Sequence, residues 1–92
     1  MKINNFNIGK NYAPYVIAEA GINHNGNINI ALEMIDLAGK IGVNAIKFQT
    51  YKTELFISPE SQYFNLFKKC ELQENEIQQL VSKAKKLGLT IF

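Results

Sequence analysis

Residues 16–26, VIAEAGINHNG, are the stretch around which the rest of the chain is organised. Its first four residues form the apolar pattern of a buried strand that ends in a carboxylate at Glu19. Gly21 interrupts this pattern, and a polar cluster containing Asn23 and His24 follows before a helical pattern begins. In α/β enzymes, strands that end in polar residues place them in a site rather than in a core. The stretch therefore predicts a polar site at the end of the first core strand.

The composition predicts one small domain and does not favour binding to nucleic acid or to a membrane. The chain has 92 residues, of which 47% are hydrophobic and 20% charged. Its ten basic residues are all lysine, and the arginine that dominates base-edge and phosphate recognition is absent. No apolar run approaches the ~20 residues of a membrane span. The N-terminus lacks a signal-peptide core, and Cys70 stands alone, so we expect a cytoplasmic protein.

Residues 1–15 are predicted to form an N-terminal hairpin and linker, ahead of a main unit at residues 16–92. Apolar and polar residues alternate over Lys2–Gly9, and two adjacent asparagines suit the turn of a hairpin. Pro14 cannot donate to a strand ladder, so the residues around it are expected to be a linker.

The main unit begins with a strand, a helix and a strand. The strands are predicted over Val16–Glu19 and Val43–Gln49, and the helix over Asn27–Ile41. Asn27 suits the N-cap and Gly42 the left-handed position after the helix. The helix carries one apolar stripe: Ala31, Met34, Ile35, Ala38 and Ile41. Such short connections predict a right-handed βαβ unit with parallel strands.

Four further segments are predicted beyond this unit. An irregular segment at Thr50–Gln62 is followed by a short helical turn at Tyr63–Cys70. A second helix at Glu74–Leu87 then leads to a third strand at Leu89–Phe92. The short turn is expected to bury Phe64 and Phe67. In the second helix, acidic residues come first and lysines last, which suits the helix dipole. Its apolar stripe consists of Ile77, Leu80, Val81, Ala84 and Leu87.

The βαβαβ order predicts the first β/α units of a (β/α)8 TIM barrel, incomplete in this chain and preceded by the hairpin. A full barrel of this type takes ~250 residues. Three parallel strands alone would leave two open edges and weakly covered faces. We therefore expect the chain to be the front part of a longer protein.

The second strand also ends in polar residues. Alternation along AIKFQT places Lys47 and Gln49 on one face, which in a barrel is the lumen. A lysine there is a ready anchor for a phosphate or carboxylate. Each residue also has a purely structural interpretation: Lys47 could extend to solvent, Gln49 could cap the strand, and His24 could be a local hydrogen-bonding group.

The paired motifs AEAGINHNG and AIKFQTY, followed by a helix and GLTIF, resemble the N-terminal part of the sialic acid (N-acetylneuraminate) synthase family. Legionaminic and pseudaminic acid synthases are similar in this region. The resemblance implies condensation of phosphoenolpyruvate with N-acetylmannosamine or a related amino sugar, giving a nonulosonic acid and phosphate. It covers nearly the whole chain, although the 92 residues alone are not expected to be active.

The resemblance also implies roles for individual residues. Glu19 matches a catalytic glutamate that faces the sugar, and Lys47 matches the lysine that binds phosphoenolpyruvate. Gln49 matches a sugar contact, while Asn23 and His24 belong to a loop at the mouth of the substrate pocket. A divalent metal, Mn or Mg, is implied with ligands outside this chain, and the full-length enzyme is implied to be a homodimer.

Two other functions stay open at this point. A barrel aldolase would use Lys47 as a Schiff-base amine. A small non-catalytic α/β binding module, or an inactive remnant of an enzyme, would use the polar strand ends only structurally.

Overall fold

A computed structural model describes all 92 residues of the protein as two small sheets and four helices. An N-terminal hairpin pairs β1 with β2, and a second sheet contains β3, β4 and β5. The strands are β1 (Lys2–Ile3), β2 (Phe6–Asn7), β3 (Ile17–Gly21), β4 (Ala45–Phe48) and β5 (Thr90–Ile91). The helices are α1 (Ile28–Ile41), α2 (Thr53–Phe56), α3 (Phe64–Cys70) and α4 (Glu74–Lys86).

The main sheet is parallel throughout, with the strand order β3-β4-β5. Helix α1 connects β3 to β4, and the segment containing α2, α3 and α4 connects β4 to β5. This confirms the predicted α/β class and the parallel βαβ order. The sheet is open, with β3 and β5 as its two edges.

The core lies between one face of the sheet and helices α1 and α4. Small side chains on both helices let the backbones come close to the sheet and to each other. The buried residues of this cluster are Ala20, Ala31, Ile35, Ala38, Ile46, Phe48, Leu72, Leu80, Ala84 and Leu89. Both helices begin with caps: the Asn27 side chain accepts from the backbone N–H groups of Asn29 and Ile30, and Gln73 forms a capping box with Glu76.

The helical stripes are only partly covered. Ile41, predicted to face the core, is 71% exposed, and Val81 and Leu87 are also exposed. Periodicity identifies the apolar face of a helix but not how much of that face a neighbour covers. The end of α1 overhangs edge strand β3, where Leu37 and Ile41 line an open apolar groove beside Ala18.

The segment after β4 also differs from its prediction. The expected irregular stretch 50–62 contains α2, and Phe64 and Phe67 are only partly buried. The ring of Phe67 packs at the surface against Tyr51 and Phe56, at centroid distances of 5.7 and 5.2 Å. A three-ring cluster near the surface therefore replaces the buried pair that the sequence predicted.

The hairpin is attached to the amino ends of the parallel strands. It turns at Asn4, whose φ is 51°, within the predicted range Lys2–Gly9. The Asn4 side-chain amide donates to the hydroxyl of Thr90 at 2.7 Å. The Val16 backbone N–H donates to the side chain of Asn44 at 2.8 Å. The division into residues 1–15 and 16–92 stays a prediction.

The loop between β3 and α1 is pressed against the end of α3. Gly26 has a φ of 77°, and a Cβ added there would overlap the carbonyl oxygen of Lys69. Gly42 has a φ of 79° with open space around it. The two glycines therefore have nearly the same positive φ and differ in their surroundings.

This pair gives a test of the loop contact. Gly42→Ala should lower the free energy of unfolding by about 1–2 kcal/mol, the cost of a left-handed conformation for a residue with a Cβ. Gly26→Ala should cost about 1–3 kcal/mol more, because the added carbon also meets backbone that cannot rotate away. Urea unfolding followed by circular dichroism measures both, and equal losses would contradict the close contact with Lys69.

Candidate functional site

The register between β3 and β4 brings Glu19 and Lys47 together. The two residues are direct partners across the parallel pair, and Lys47 Nζ lies 3.7 Å from Glu19 Oε2. Both side chains are more than half exposed, on the opposite face from Ile46 and Phe48, which pack in the core. An exposed ion pair of this kind adds little stability. Its importance is therefore the placement of opposite charges at adjacent strand ends.

Gly21 pairs with Phe48, so the carboxyl ends of β3 and β4 lie side by side. The pairing shifts between Glu19 and Gly21, and Gly21 has a φ of 56°. The Gly21 carbonyl accepts from the Gln49 backbone N–H at 3.3 Å. Asn23 begins the loop after β3, and its backbone N–H donates to Ala20. The side chains of Gln49 and Asn23 are exposed and make no hydrogen bond within the protein.

His24 lies apart from this exposed group. Its side chain is fully buried, and its Nδ1 accepts the Gly26 backbone N–H at 2.9 Å. The ring lies 6.0 Å from the ring of Phe48, and Nε2 has no partner. Burial lowers the pKa of His24 below 6.5, and the carboxylate of Glu76 opposes that shift. The substrate-binding role expected of His24 stays a prediction, but its ring faces the interior.

A buried carboxylate holds the segment that follows β4. Glu71 Oε1 accepts from the Thr53 backbone N–H at 2.8 Å and from the Thr53 hydroxyl at 2.7 Å. Lys68 Nζ lies 3.6 Å from Glu71 Oε1 and also forms an exposed ion pair with Glu54. Tyr51 donates to the carbonyl of Phe67 at 2.7 Å. These bonds close the segment between β4 and α4 into a fixed shape.

Sequence reasoning did not identify Thr53 or Glu71. The two residues are 18 positions apart, so no local pattern links them. The available signal was weak: a Thr-Glu pair is a helix-start pattern, and a carboxylate can satisfy the free N–H groups of a helix from a distance. The hydrogen bonds from Thr53, first the backbone N–H and then the hydroxyl, lower the pKa of Glu71 below 4.5.

Glu71→Gln should destabilise the protein by about 1–3 kcal/mol, because a buried charge-assisted acceptor is weakened. A carboxylate with a lowered folded-state pKa stabilises the protein above its unfolded pKa, and the contribution is lost as the pH falls through the folded value. The urea midpoint of the wild type should therefore fall below pH 4.5 more than that of Glu71→Gln. Glu33→Gln, at an exposed position of α1, is the control and should behave like the wild type. Parallel pH profiles for Glu71→Gln and the wild type would contradict the assignment.

Neither a metal site nor a membrane span is formed by these residues. No three His, Cys, Asp or Glu side chains are grouped so that they could hold a metal ion. The single histidine already uses Nδ1 in a hydrogen bond. None of the helices has the length and apolar character needed to cross a bilayer.

Lys47 is also unlike a typical Schiff-base lysine. Such amines are usually desolvated or placed next to another cation. Lys47 is 54% exposed and stands beside a carboxylate. The neighbour of Lys47 is therefore a carboxylate, and not the cation that activates many such amines.

Comparison with known proteins supports the resemblance seen in the motifs. A family model described as the NeuB family matches residues 34–92. An uncharacterised protein of Methanocaldococcus jannaschii is 47% identical over 89 residues, covering 97% of this chain and 26% of that protein. An N,N'-diacetyllegionaminic acid synthase of Legionella pneumophila is 33% identical over 95 residues, covering 88% of this chain and 27% of that protein.

A solved structure extends the similarity to the fold. The crystal structure of an N-acetylneuraminic acid (sialic acid) synthetase from Leptospira borgpetersenii, in complex with citrate, matches with a TM-score of 0.92 at 38% identity. The match covers 100% of this chain and 32% of that one. The predicted resemblance is therefore confirmed, and the chain spans about a quarter to a third of the length of these relatives.

Proposed function

Because the chain belongs to the NeuB family, we propose that it is the N-terminal part of a sialic acid synthase-type enzyme. The enzyme would condense phosphoenolpyruvate with N-acetylmannosamine or a related N-acetylated amino sugar. The products would be a nonulosonic acid and phosphate. The observation that carries the proposal is the pairing of Glu19 with Lys47, 3.7 Å apart at the ends of neighbouring parallel strands.

Lys47 and Glu19 divide the chemistry between them in this proposal. Lys47 binds the anionic groups of phosphoenolpyruvate as a compact positive charge. Glu19 holds the sugar, exchanging a proton with a hydroxyl or with the aldehyde oxygen. Both side chains are exposed on the face away from α1 and α4, so both are open to a substrate. Gln49 and Asn23 contact the sugar from the exposed strand ends, and His24 belongs to the same loop.

The reaction forms a C–C bond to the sugar and a C–O bond to water, and it breaks the C–O bond to phosphate. C3 of phosphoenolpyruvate attacks the aldehyde carbon of the sugar, forming the new C–C bond. Water adds at C2, and phosphate leaves as its C–O bond breaks. In this scheme Lys47 fixes the donor while Glu19 keeps the acceptor aldehyde facing C3, so that the two carbons meet in a favourable orientation.

The proposed enzyme is a (β/α)8 barrel of which this chain forms the first strands. Two features support this: the strands are parallel and in sequential order, and both edges of the sheet are open with apolar side chains exposed nearby. Ile17 and Ile41 are exposed near β3, and Phe92 is exposed beside β5. Further β/α units would cover these side chains and close the sheet, which removes its edges.

A divalent metal, Mn or Mg, belongs to the proposal only as a component of the full-length enzyme. The residues of this chain do not group into a metal site, so its ligands would come from elsewhere in the protein. A homodimer and a cytoplasmic location complete the proposal.

Lys47→Ala in the full-length protein should raise the KM for phosphoenolpyruvate about tenfold to a hundredfold, since a hydrogen-bonded charge contributes roughly 1.5–3 kcal/mol to binding. The KM for the sugar should change little. Lys40→Ala, at an exposed lysine near the end of α1, is the matched control. Phosphate release measured against phosphoenolpyruvate concentration tests this, and an unchanged saturation curve would refute the assignment.

Glu19→Gln should lower kcat by about 10²–10⁴-fold, the usual contribution of a positioned acid–base group, and change both KM values far less. Glu33→Gln, on the exposed side of α1, is the control. Product formation is followed by mass spectrometry of the 2-keto acid. If borohydride instead traps substrate carbon on Lys47, the enzyme is an aldolase and the synthase proposal fails.

A further inference from the structure

His24 is buried although its neighbours in the loop are not. Asn23, Asn25 and Asn27 are exposed, whereas His24 is 0% exposed. Its Nδ1 accepts the N–H of the residue two positions later, Gly26, at 2.9 Å. An asparagine side chain makes the same bond in an Asx-turn. The buried imidazole therefore stabilises the turn of the loop between His24 and Gly26.

The same ring fastens the loop to the rest of the protein. It lies beside Phe48, at the end of β4, while Gly26 is held against the backbone of Lys69 and Cys70 at the end of α3. The loop after β3 is thus packed on elements that follow β4. Asn23 directly precedes His24, so the buried ring also restricts the position of Asn23 after the end of β3.

The hydrogen bond also fixes the protonation of the ring. An atom that accepts an N–H carries no proton, so Nδ1 is bare and the neutral ring has its proton on Nε2. Nε2 is buried and has no partner. Protonation of Nδ1 would place its N–H against the N–H of Gly26, and the bond would be lost.

We propose that His24 is a positioning residue: as the neutral Nε2–H tautomer, it holds the loop of residues 22–27 against α3 and so sets Asn23 relative to the pair Glu19 and Lys47. The kinetic part rests on the proposed synthase function. The structural part, the tautomer and the bond to Gly26, stands independently.

The charges around the ring determine how this arrangement responds to acid. Glu76 on α4 favours protonation, but burial outweighs it and lowers the pKa of His24 below 6.5. The titratable groups at the end of α3 are Lys68, Lys69, the Cys70 thiol and the Glu71 carboxylate, and the Phe48 ring of β4 lies beside the imidazole. The unfolded chain binds the proton more readily, so this contribution to stability is complete above about pH 6.5 and is lost as the pH falls below it.

Two isosteric amides separate the positioning role from simple packing. Asn places its oxygen where His24 has Nδ1, whereas Gln places its amide near the position of Nε2. In the full-length protein, His24→Gln should lower kcat/KM about tenfold to a hundredfold, as expected when a group that positions the substrate shifts by about 1 Å. His24→Asn should recover most of that loss. Equal losses in the two variants would overturn the proposal.

Two physical readouts accompany the kinetics. Long-range ¹H–¹⁵N spectra of ¹⁵N-histidine-labelled protein should show His24 as the Nε2–H tautomer at pH 7. Thermal unfolding should rank wild type above His24→Asn, and His24→Asn above His24→Gln. An Nδ1–H tautomer, or His24→Gln at least as stable as His24→Asn, would refute the bond.

These outcomes distinguish failure of the inference from failure of the proposed function. In one outcome, the wild-type protein lacks synthase activity and still shows the Nε2–H tautomer and the expected stability order. That result refutes the proposed function and supports the hydrogen bond from Gly26 to His24. An active wild type in which both variants lose activity equally refutes the positioning role of His24.

Discussion

The parallel register between β3 and β4 is the constraint on which the candidate site depends. Side chains alternate across a strand, so a slip of one residue would turn Glu19 or Lys47 into the face covered by the helices. Ile46 and Phe48 prevent this slip, since both are buried in the core on the other face of β4. The apolar core and the polar strand ends are therefore specified by the same pairing. The burial of Ile46 and Phe48 on one face of β4 therefore keeps Lys47 on the other face.

Separate interactions fix the two ends of the sheet. At the carboxyl ends, buried polar groups shape the loops: His24 accepts from Gly26, and Glu71 accepts from Thr53. At the amino ends, the hairpin is attached through side-chain amides such as Asn4. Buried polar groups are usually hydrogen-bonded, so the bonds of His24 and Glu71 restrict the loops at the carboxyl ends to few conformations. The pair Glu19 and Lys47 can stay exposed because the structure around it is held by other residues.

The sequence predicted those parts of the fold that depend on local pattern. The strand-helix-strand order, the Asn27 cap and the neighbouring strand ends of Glu19 and Lys47 were all predicted from periodicity and turn chemistry. Helix α2 was missed because Glu71, which holds its first N–H groups, lies far along the chain. The exposure of Ile41 was missed because a stripe describes one helix, while burial depends on what lies opposite. The substrate roles came only from the family resemblance, since no spacing of residues specifies a sugar.

The hydrogen bond between Asn4 and Thr90 joins residues 86 positions apart. A contact of such high sequence separation forms only after the chain between its ends has been ordered or brought together, so it is expected late in folding. Synthesis proceeds from the N-terminus, and the hairpin emerges long before β5 does. The hairpin can therefore pair early, but it can attach to the sheet through Thr90 only after β5 has been synthesised.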